Sequence, residues 1–407
     1  MRIAIVGSGV SGLVVAQGLR PAHEITVFEA DHRIGGHVHT WAVERGGRSW
    51  AIDSGFIVYN ERNYPNFTRL LAGLRVPTEP STMSFSVRHD EAGLEYNGST
   101  IGQLFVQKRN ALRPAFLRML HEILRFNREA AAIVGTLGDQ SLRELLDRGR
   151  YSEAFRDWYL LPMGSAIWSI PAATVLEMPA QFFVRFFANH GMLTVDDRPE
   201  WRVVRGGSAR YVEALIAPFR DRIRIGSPVR RIVRRDDRVE IDGEGFDRVV
   251  LACHSDQALA MLADPTASER EVLSALPYQA NEAVLHTDVS VLPRRRAAWG
   301  AWNYRVSAPS YAPAVVTYNM NILQSLDAPD TFCVTLNGDH LIDQSRVIGR
   351  VRYHHPVATL AGSQARARRA EISGIARTHY CGAYWGNGFH EDGVASGLAV
   401  VAEFESR

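Results

Sequence analysis

The chain has 407 residues, 46% of them hydrophobic, which is enough to fill the cores of two domains and excludes a disordered protein. Basic and acidic residues nearly balance at a net charge of +2, so the overall charge does not attract nucleic acid and we predict no nucleic-acid partner. The cysteines have no CxxC spacing, which is typical of free thiols in a reducing compartment; they are Cys253, Cys333 and Cys381.

The chain opens on a strand pattern, without the charged region, apolar segment and cleavage site of a signal peptide. No apolar run of about 18 residues follows, so a membrane-spanning helix is not expected. We therefore predict a cytoplasmic protein. The basic helix described below extends this prediction to peripheral association with the inner face of the cell membrane. The sequence leaves homodimer formation open.

A dinucleotide-binding turn is the first motif in the chain. It follows a buried strand at residues 2–6, precedes a helical pattern, and has the GxGxxG form of Gly7, Ser8, Gly9, Val10, Ser11 and Gly12. The first glycine permits a tight turn, the second admits a pyrophosphate, and the third lets the helix pack on the strand. A second strand carries Glu29 and Ala30 at its end, near the ~20-residue spacing of a ribose-binding carboxylate.

A second glycine pair separates FAD from NAD. It stands in RIGGHVHT, residues 33–40, whose predicted cofactor contacts are Arg33, Gly35, Gly36 and His37. Glycines at a second phosphate-proximal turn suit a longer ligand whose flavin continues beyond the pyrophosphate. His37 and His39 have a spacing that can chelate a metal on a strand, but no third ligand is evident, so we predict no metal site.

These motifs together resemble the opening of the FAD-dependent amine oxidase and phytoene desaturase superfamily. The usual second arginine of its second motif is replaced here by His37. The resemblance implies an α/β two-domain flavoprotein, with a Rossmann-like FAD-binding domain and a substrate domain of antiparallel sheet plus helices. It also implies non-covalent FAD and an adenine contact near Val229. The implied FAD-binding domain comprises residues 1–60, 200–275 and 352–407, and the substrate domain residues 61–199 and 276–351.

The substrate domain is predicted to contain a basic amphipathic helix from Pro114 to Gly135. At about 100° per residue, its apolar face comprises Phe116, Leu117, Leu120, Ile123 and Leu124, and its basic face Arg118, His121, Arg125 and Arg128. Such a helix suits anionic lipid headgroups. A solvated outer face above an ordinary core is the alternative.

Aromatic residues are concentrated in AQFFVRFFANHGML, residues 180–193. We interpret this stretch as part of an apolar tunnel, with Asn189 and His190 at the flavin end as candidate catalytic residues. An ordinary buried core is the alternative.

The stretch GAYWGNGFHEDG, residues 382–393, closes the predicted FAD site. Its glycines are expected to pass close to the flavin, with Val394 beginning a helix whose N–H faces the ring; the predicted contacts are Gly386, Glu391, Asp392, Gly393 and Val394. Glu391 is also a candidate base. A surface turn before a helix is the alternative.

The substrate prediction depends on a narrower resemblance. Many amine oxidases of this superfamily hold a lysine over the flavin, whereas Lys108 is the only lysine here. Stretches such as DSGFIVYNERNYPNF, LPMGSAIWS and FFANHGML resemble a bacterial branch that includes flavin-dependent methylated-fatty-acid desaturases. This implies desaturation of a methyl-branched unsaturated acyl chain of a membrane phospholipid, with dioxygen as the expected electron acceptor. The alternatives are oxidation of an amine or another small apolar substrate, and a non-catalytic lipid-binding protein.

Overall fold

The computed structural model describes residues 1–194, 198–306 and 311–405. The strands in this part of the chain are β1 (Arg2–Val6), β2 (Glu24–Phe28), β3 (Thr40–Arg45), β4 (Arg48–Asp53), β5 (Val58–Asn60), β6 (Thr78–Ser81), β7 (Phe85–His89), β8 (Leu94–Asn97), β9 (Trp201–Val204), β10 (Ile223–Arg224), β11 (Ile232–Arg234), β12 (Val239–Ile241), β13 (Glu244–Phe246), β14 (Arg248–Leu251), β15 (Tyr278–His286), β16 (Trp302–Val306), β17 (Val315–Asn319), β18 (Cys333–Leu336), β19 (Val347–Pro356) and β20 (Thr378–Tyr380).

The α-helices of the same residues are α1 (Val10–Leu19), α2 (Pro65–Gly73), α3 (Ile101–Leu104), α4 (Pro114–Ile133), α5 (Leu142–Arg148), α6 (Glu153–Phe155), α7 (Leu161–Trp168), α8 (Ala172–Leu176), α9 (Ala180–Asn189), α10 (Ala209–Ile216), α11 (Ser255–Met261), α12 (Ala267–Ser274), α13 (Met320–Leu323), α14 (Leu360–Ala367) and α15 (His390–Glu405).

A five-stranded parallel sheet carries the first motif. Its strand order is β10-β2-β1-β14-β20, and every neighbouring pair is parallel. The central strand β1 is apolar and almost wholly buried because helices cover both faces of such a sheet. Helices α1 and α15 pack together on one face around Leu13, Val14 and Val400. The predicted Rossmann-like fold is confirmed.

A seven-stranded sheet forms the second layer. Its order is β19-β15-β18-β17-β16-β7-β8. The pairs are antiparallel, as predicted, except that β16 and β7 run parallel. Smaller sheets are formed by β11-β12-β13, by β3-β4 and by β5-β9-β6.

One strand of the seven-stranded sheet crosses a predicted domain boundary. Strand β19 runs from Val347 to Pro356 and therefore crosses the predicted limit at residue 352. Residues 195–197 and 307–310 of the predicted substrate domain, and residues 406–407 of the predicted FAD-binding domain, lie outside the described part of the chain. The domain boundaries stay a prediction.

Helix α4 forms close to the predicted limits, but its buried face differs from the expected one. The fully buried side chains include Phe116, Met119 and Phe126, whereas Leu117 and Leu124 are 44% and 55% exposed. Residues three and four apart share a helix face, and the adjacent Leu117 lies about 100° away from Phe116. The predicted apolar face was therefore too wide. No helix among the described residues is long and apolar enough to cross a bilayer.

Candidate FAD site and its neighbours

The first glycine turn leaves one open face. A Cβ at Gly7, whose φ is +108°, would lie 2.6 Å from the carbonyl oxygen of Ala252, and one at Gly12 would lie 2.1 Å from that of Gly7. A Cβ at Gly9 would meet nothing within 4 Å. Gly7 and Gly12 are thus required by the protein's own packing, and Gly9 borders free space. This arrangement fits a pyrophosphate approaching the start of α1.

Glu29 is held beside this turn. Its carboxylate accepts hydrogen bonds from the Ser8 N–H at 3.0 Å, the Asp31 N–H at 2.8 Å and the Ser8 hydroxyl. The side chain is therefore fixed at the carboxyl end of β2, where a ribose-binding acid belongs in this fold. Ala30 follows on the surface. The residues present fit the adenosine half of FAD.

The second glycine turn packs directly on the first. The Gly35 N–H donates to the Ser8 carbonyl oxygen at 3.1 Å. A Cβ at Gly36, whose φ is +59°, would lie 3.1 Å from the Cα of Gly9. The structure thus brings the two predicted motifs together. The Arg33 guanidinium donates to the carbonyl oxygens of Val38 and Gly36. These hydrogen bonds stabilise the second glycine turn from within.

His37 lies in a group of aromatic rings. Its ring centroid is 4.9 Å from that of Tyr353, 5.3 Å from that of His355 and 6.3 Å from that of His254. Burial, reinforced by the neighbouring imidazoles, lowers the pKa of His37 well below its ordinary value. The ring is neutral at pH 7 and does not supply the charge of the arginine that the superfamily usually has there.

His39 points to a different neighbour from His37. Its ring stacks on Trp41 with centroids 4.4 Å apart, and burial lowers its pKa to about 4. In the described ranges, no group of three or more His, Cys, Asp or Glu side chains could hold a metal ion. Val229 precedes β11 and packs half-buried against the cluster around Ile232 and Val249; its adenine contact stays a prediction.

The C-terminal helix begins earlier than predicted, at His390 and not at Val394. The Asp392 carboxylate accepts from the Phe389 N–H at 2.9 Å, and the Gly393 N–H donates to the Phe389 carbonyl oxygen at 3.1 Å. Since an α-helix bonds each N–H to the carbonyl four residues earlier, the Val394 N–H is used inside the helix. The donors available to a flavin are those of the first turn, residues 390–392.

The C-terminal glycines have neighbours within the protein. A Cβ at Gly393 would lie 2.7 Å from the Val10 side chain, and one at Gly386 would lie 2.1 Å from the Asp392 carboxylate. Gly393 therefore lets α15 pack against the start of α1. The two ends of the chain meet, and internal packing accounts for these two glycines; their predicted flavin contact stays a prediction. Burial raises the pKa of Asp392 to about 6.

Glu391 contacts the beginning of helix α2. Its carboxylate accepts from the Asn66 N–H at 3.0 Å, the Asn66 side-chain amide at 2.6 Å and the Phe67 N–H at 2.9 Å. It thus stabilises the first turn of α2. Both oxygens thus have partners within the protein; the base and the cofactor contact predicted for Glu391 stay predictions.

His190 and Asn189 end α9 with different surroundings. The His190 ring stacks on Phe186 at 3.8 Å and lies 6.2 Å from Phe389 of the C-terminal stretch. Burial lowers its pKa to about 4. Asn189 is exposed, and its carbonyl oxygen accepts from the Asn63 side chain at 2.8 Å. Only His190 of this pair approaches the apolar interior beside the predicted flavin.

Sequence reasoning missed His390. Its ring stacks on Phe56 at 3.8 Å, and its Nε2 forms a 2.5 Å hydrogen bond with the Tyr211 hydroxyl. Nearby in the chain, the Tyr384 hydroxyl and the Trp385 indole nitrogen are buried without a hydrogen-bond partner among the described residues. A buried polar atom usually has a partner, so these two atoms suit contact with a bound group. The aromatic content of residues 382–393 was the available signal.

Comparisons with known proteins agree with this geometry. The family of flavin-containing amine oxidoreductases matches residues 10–300. An L-amino acid dehydrogenase of Synechocystis sp. is 25% identical in a 254-residue alignment that covers 58% of this chain and 51% of that protein. The match thus spans about half the length of that relative. An L-amino-acid oxidase of Mus musculus is 47% identical over 47 residues, 11% of this chain and 8% of that protein.

Solved structures share the whole fold. A cyclohexylamine oxidase from Brevibacterium oxydans has a TM-score of 0.70 at 16% identity, covering 99% of both chains. A CLA-producing fatty acid isomerase from P. acnes has a TM-score of 0.70 at 18% identity, covering 99% of this chain and 98% of that one. Because the family match covers well over half of the residues, this chain belongs to the flavin-containing amine oxidoreductases, a family of flavin-dependent oxidoreductases, and FAD is its cofactor.

Proposed function

We propose that the protein removes two hydrogens from a methyl-branched unsaturated acyl chain of a membrane phospholipid and so extends its double-bond system. The main support is the apolar cluster beside the C-terminal stretch. Phe389 stacks on Phe186 with centroids 5.0 Å apart, and Trp168 lies 4.8 Å from Phe186. These rings belong to the hydrophobic cluster of α4 to α9. A hydrocarbon chain could enter such surroundings without desolvating a charge.

The lysine content also favours an acyl chain over an amine. The amine oxidases that the sequence resembles commonly place a lysine over the flavin from the substrate-domain sheet. Lys108 is the only lysine of this chain. It lies in a 3-10 turn, Lys108–Leu112, and not in the seven-stranded sheet.

The residues that would hold FAD are the Gly9 turn for the pyrophosphate, Glu29 for the ribose and the first turn of α15 near the flavin. Bound FAD supplies a two-electron acceptor for a hydride from an allylic carbon. The rings of Phe186 and Phe389 exclude water from the reacting carbons. We expect dioxygen to be the final electron acceptor.

We assign the accompanying proton to His190. Its Nδ1 donates to the Phe186 carbonyl oxygen at 3.0 Å, which leaves Nε2 with a free lone pair. Since its pKa is about 4, the ring is neutral at pH 7 and is a weak base. A weak base suffices where hydride departure makes the adjacent C–H acidic.

Amine oxidation is the second candidate, because the family and the cyclohexylamine oxidase fold both favour it. Anaerobic mixing distinguishes the two. The holoenzyme is mixed with detergent-dispersed phospholipid carrying a methyl-branched monounsaturated chain, or with cyclohexylamine, putrescine or L-amino acids, and visible flavin absorption is followed.

We expect the branched phospholipid to bleach the flavin, and a saturated straight-chain phospholipid, the matched control, to leave it oxidised. Bleaching by amines alone would overturn the proposal in favour of the second candidate. A purified protein that is colourless and takes up no FAD would favour the non-catalytic lipid-binding alternative.

A further inference from the structure

Exposed apolar side chains are concentrated in one part of the surface. Ten large hydrophobic residues are exposed among those that the structure describes, and four of them lie within residues 101–124. They are Ile101 at 77%, Leu112 at 86%, Leu117 at 44% and Leu124 at 55% exposure. Scattered exposed leucines are ordinary on a soluble protein, whereas a local group of large ones marks an interaction surface.

Helix α4 shows how this group is displayed. Leu117, His121, Leu124 and Arg128 recur at helical spacing and are all exposed. The opposite side of the helix is buried through Phe116, Met119 and Phe126 among others. The helix therefore has an inner face in the core and an outer face on which apolar and basic residues alternate.

The charge of the same segment is predominantly positive. Residues 98–128 contain six basic residues and one acid; the basic residues are Lys108, Arg109, Arg113, Arg118, Arg125 and Arg128. The acid, Glu122, is 2% exposed; it accepts from the Ser152 N–H at 3.1 Å and pairs with Arg118 at 3.2 Å. Arg125 pairs with Glu129, the next acid along the chain, at 3.4 Å. Arg109 and Arg113 donate to the carbonyl oxygens of Gly93 and Ala92, which are neutral, so their positive charges persist.

We propose that residues 101–128 form a docking face that binds the surface of a bilayer containing anionic phospholipid. Basic side chains beside exposed aliphatic ones match the two regions of a membrane interface. The cations bind the anionic headgroups, and the leucines enter the boundary of the acyl chains. A protein partner matching the same face would need a long acidic surface interrupted by apolar pockets, a less general complement than a membrane. The docking face does not depend on the chemistry proposed above.

The position of the docking face also suits an acyl substrate. The inner residues Phe126 and Ala130 of α4 belong to the same hydrophobic cluster as Phe186, against which Phe389 packs. A bilayer on the outer face of α4 would therefore lie one helix away from the cluster that reaches the C-terminal stretch. A lipid substrate would then have only a short distance to travel from the bilayer to the apolar cluster.

Vesicle sedimentation of the FAD-loaded full chain tests the docking face. The vesicles are phosphatidylcholine alone, or phosphatidylcholine with about one third phosphatidylglycerol. We expect binding to the anionic vesicles that weakens at high salt. The charge variant, Lys108→Gln with Arg128→Gln, should lose about fivefold in affinity for each charge removed. The apolar variant, Leu112→Gln with Leu117→Gln, should lose at least as much.

The matched control is Ile375→Gln with Leu398→Gln, which changes two other exposed apolar residues and should bind like the parent. Flavin absorbance and thermal midpoint verify folding, and Leu124→Gln alone replaces the apolar variant if that one is unstable. The proposal is overturned if the parent ignores anionic vesicles, binds neutral ones equally, or binds no better than the two docking-face variants. Flavin reduction by detergent-dispersed lipid is measured separately, so failure of either proposal is seen independently.

Discussion

Residues 7–12 and residues 382–393 are both rich in glycine and meet where α15 packs against α1. They differ at Gly9, which faces open space, whereas Gly7 and Gly12 are required by internal packing. At the first segment, Gly9 faces open space where a ligand group fits. At the second, Gly386 and Gly393 make room for Asp392 and Val10 of the protein itself. A glycine in a cofactor-binding fold can therefore serve internal packing as well as ligand approach.

The largest loss of stability is expected from a substitution at Gly12. In Gly12→Ala the new Cβ would lie 2.1 Å from the Gly7 carbonyl oxygen, a backbone atom that cannot move without opening the turn. We expect a loss of about 3 kcal/mol or more in the free energy of unfolding, together with loss of bound FAD. Chemical denaturation of the apoprotein measures the first effect. An apoprotein as stable as the parent would contradict the packing argument.

A smaller loss is expected at Gly393. In Gly393→Ala the Cβ would lie 2.7 Å from a methyl group of Val10, a side-chain atom that can shift. We expect a net loss of about 2 kcal/mol, because overpacking outweighs the gain in helix propensity. The double variant Gly393→Ala with Val10→Ala should recover part of it. If denaturation curves show no recovery in the double variant, the loss of stability does not come from the contact with Val10, and a cofactor contact of Gly393 becomes the explanation.

Gly9 should show the reverse behaviour. Since a Cβ there meets nothing within 4 Å, Gly9→Ala should leave the stability of the apoprotein unchanged. Because the methyl group would occupy the open face, we expect FAD affinity to fall about tenfold or more, which corresponds to about 1.4 kcal/mol. Equilibrium dialysis of FAD measures it. An unchanged FAD affinity of Gly9→Ala would contradict binding of the pyrophosphate at this turn.

The same contrast explains which parts were predictable. The strand, turn and helix around Gly7 follow from local backbone geometry and short-range spacing, so sequence alone located them and the acid Glu29. The beginning of α15 was misplaced because Asp392, predicted as a contact of the FAD site, accepts from the Phe389 N–H and starts the helix earlier. A helical wheel showed that α4 is amphipathic but not where its buried face ends, so Leu117 was assigned to the buried side although it is exposed.

Long-range partners were beyond sequence reasoning. Glu391 contacts Asn66 across 325 residues of chain, and only the folded structure shows that one carboxylate serves the start of another helix. Residue type and proximity to the predicted flavin suggested a base. Geometry assigns the same group a stabilising contact, which leads to the last and smallest prediction.

Glu391→Gln should affect stability more than catalysis. The amide retains one acceptor for the N–H groups of Asn66 and Phe67 but loses the negative charge that favours the first turn of α2. We expect a loss of about 1 kcal/mol in unfolding free energy and an unchanged pH profile of flavin reduction. His190→Gln is the matched comparison, since it removes the free Nε2 lone pair while its surroundings stay apolar. A profile altered in Glu391→Gln and preserved in His190→Gln would exchange the two roles and place the proton acceptor at the start of α15.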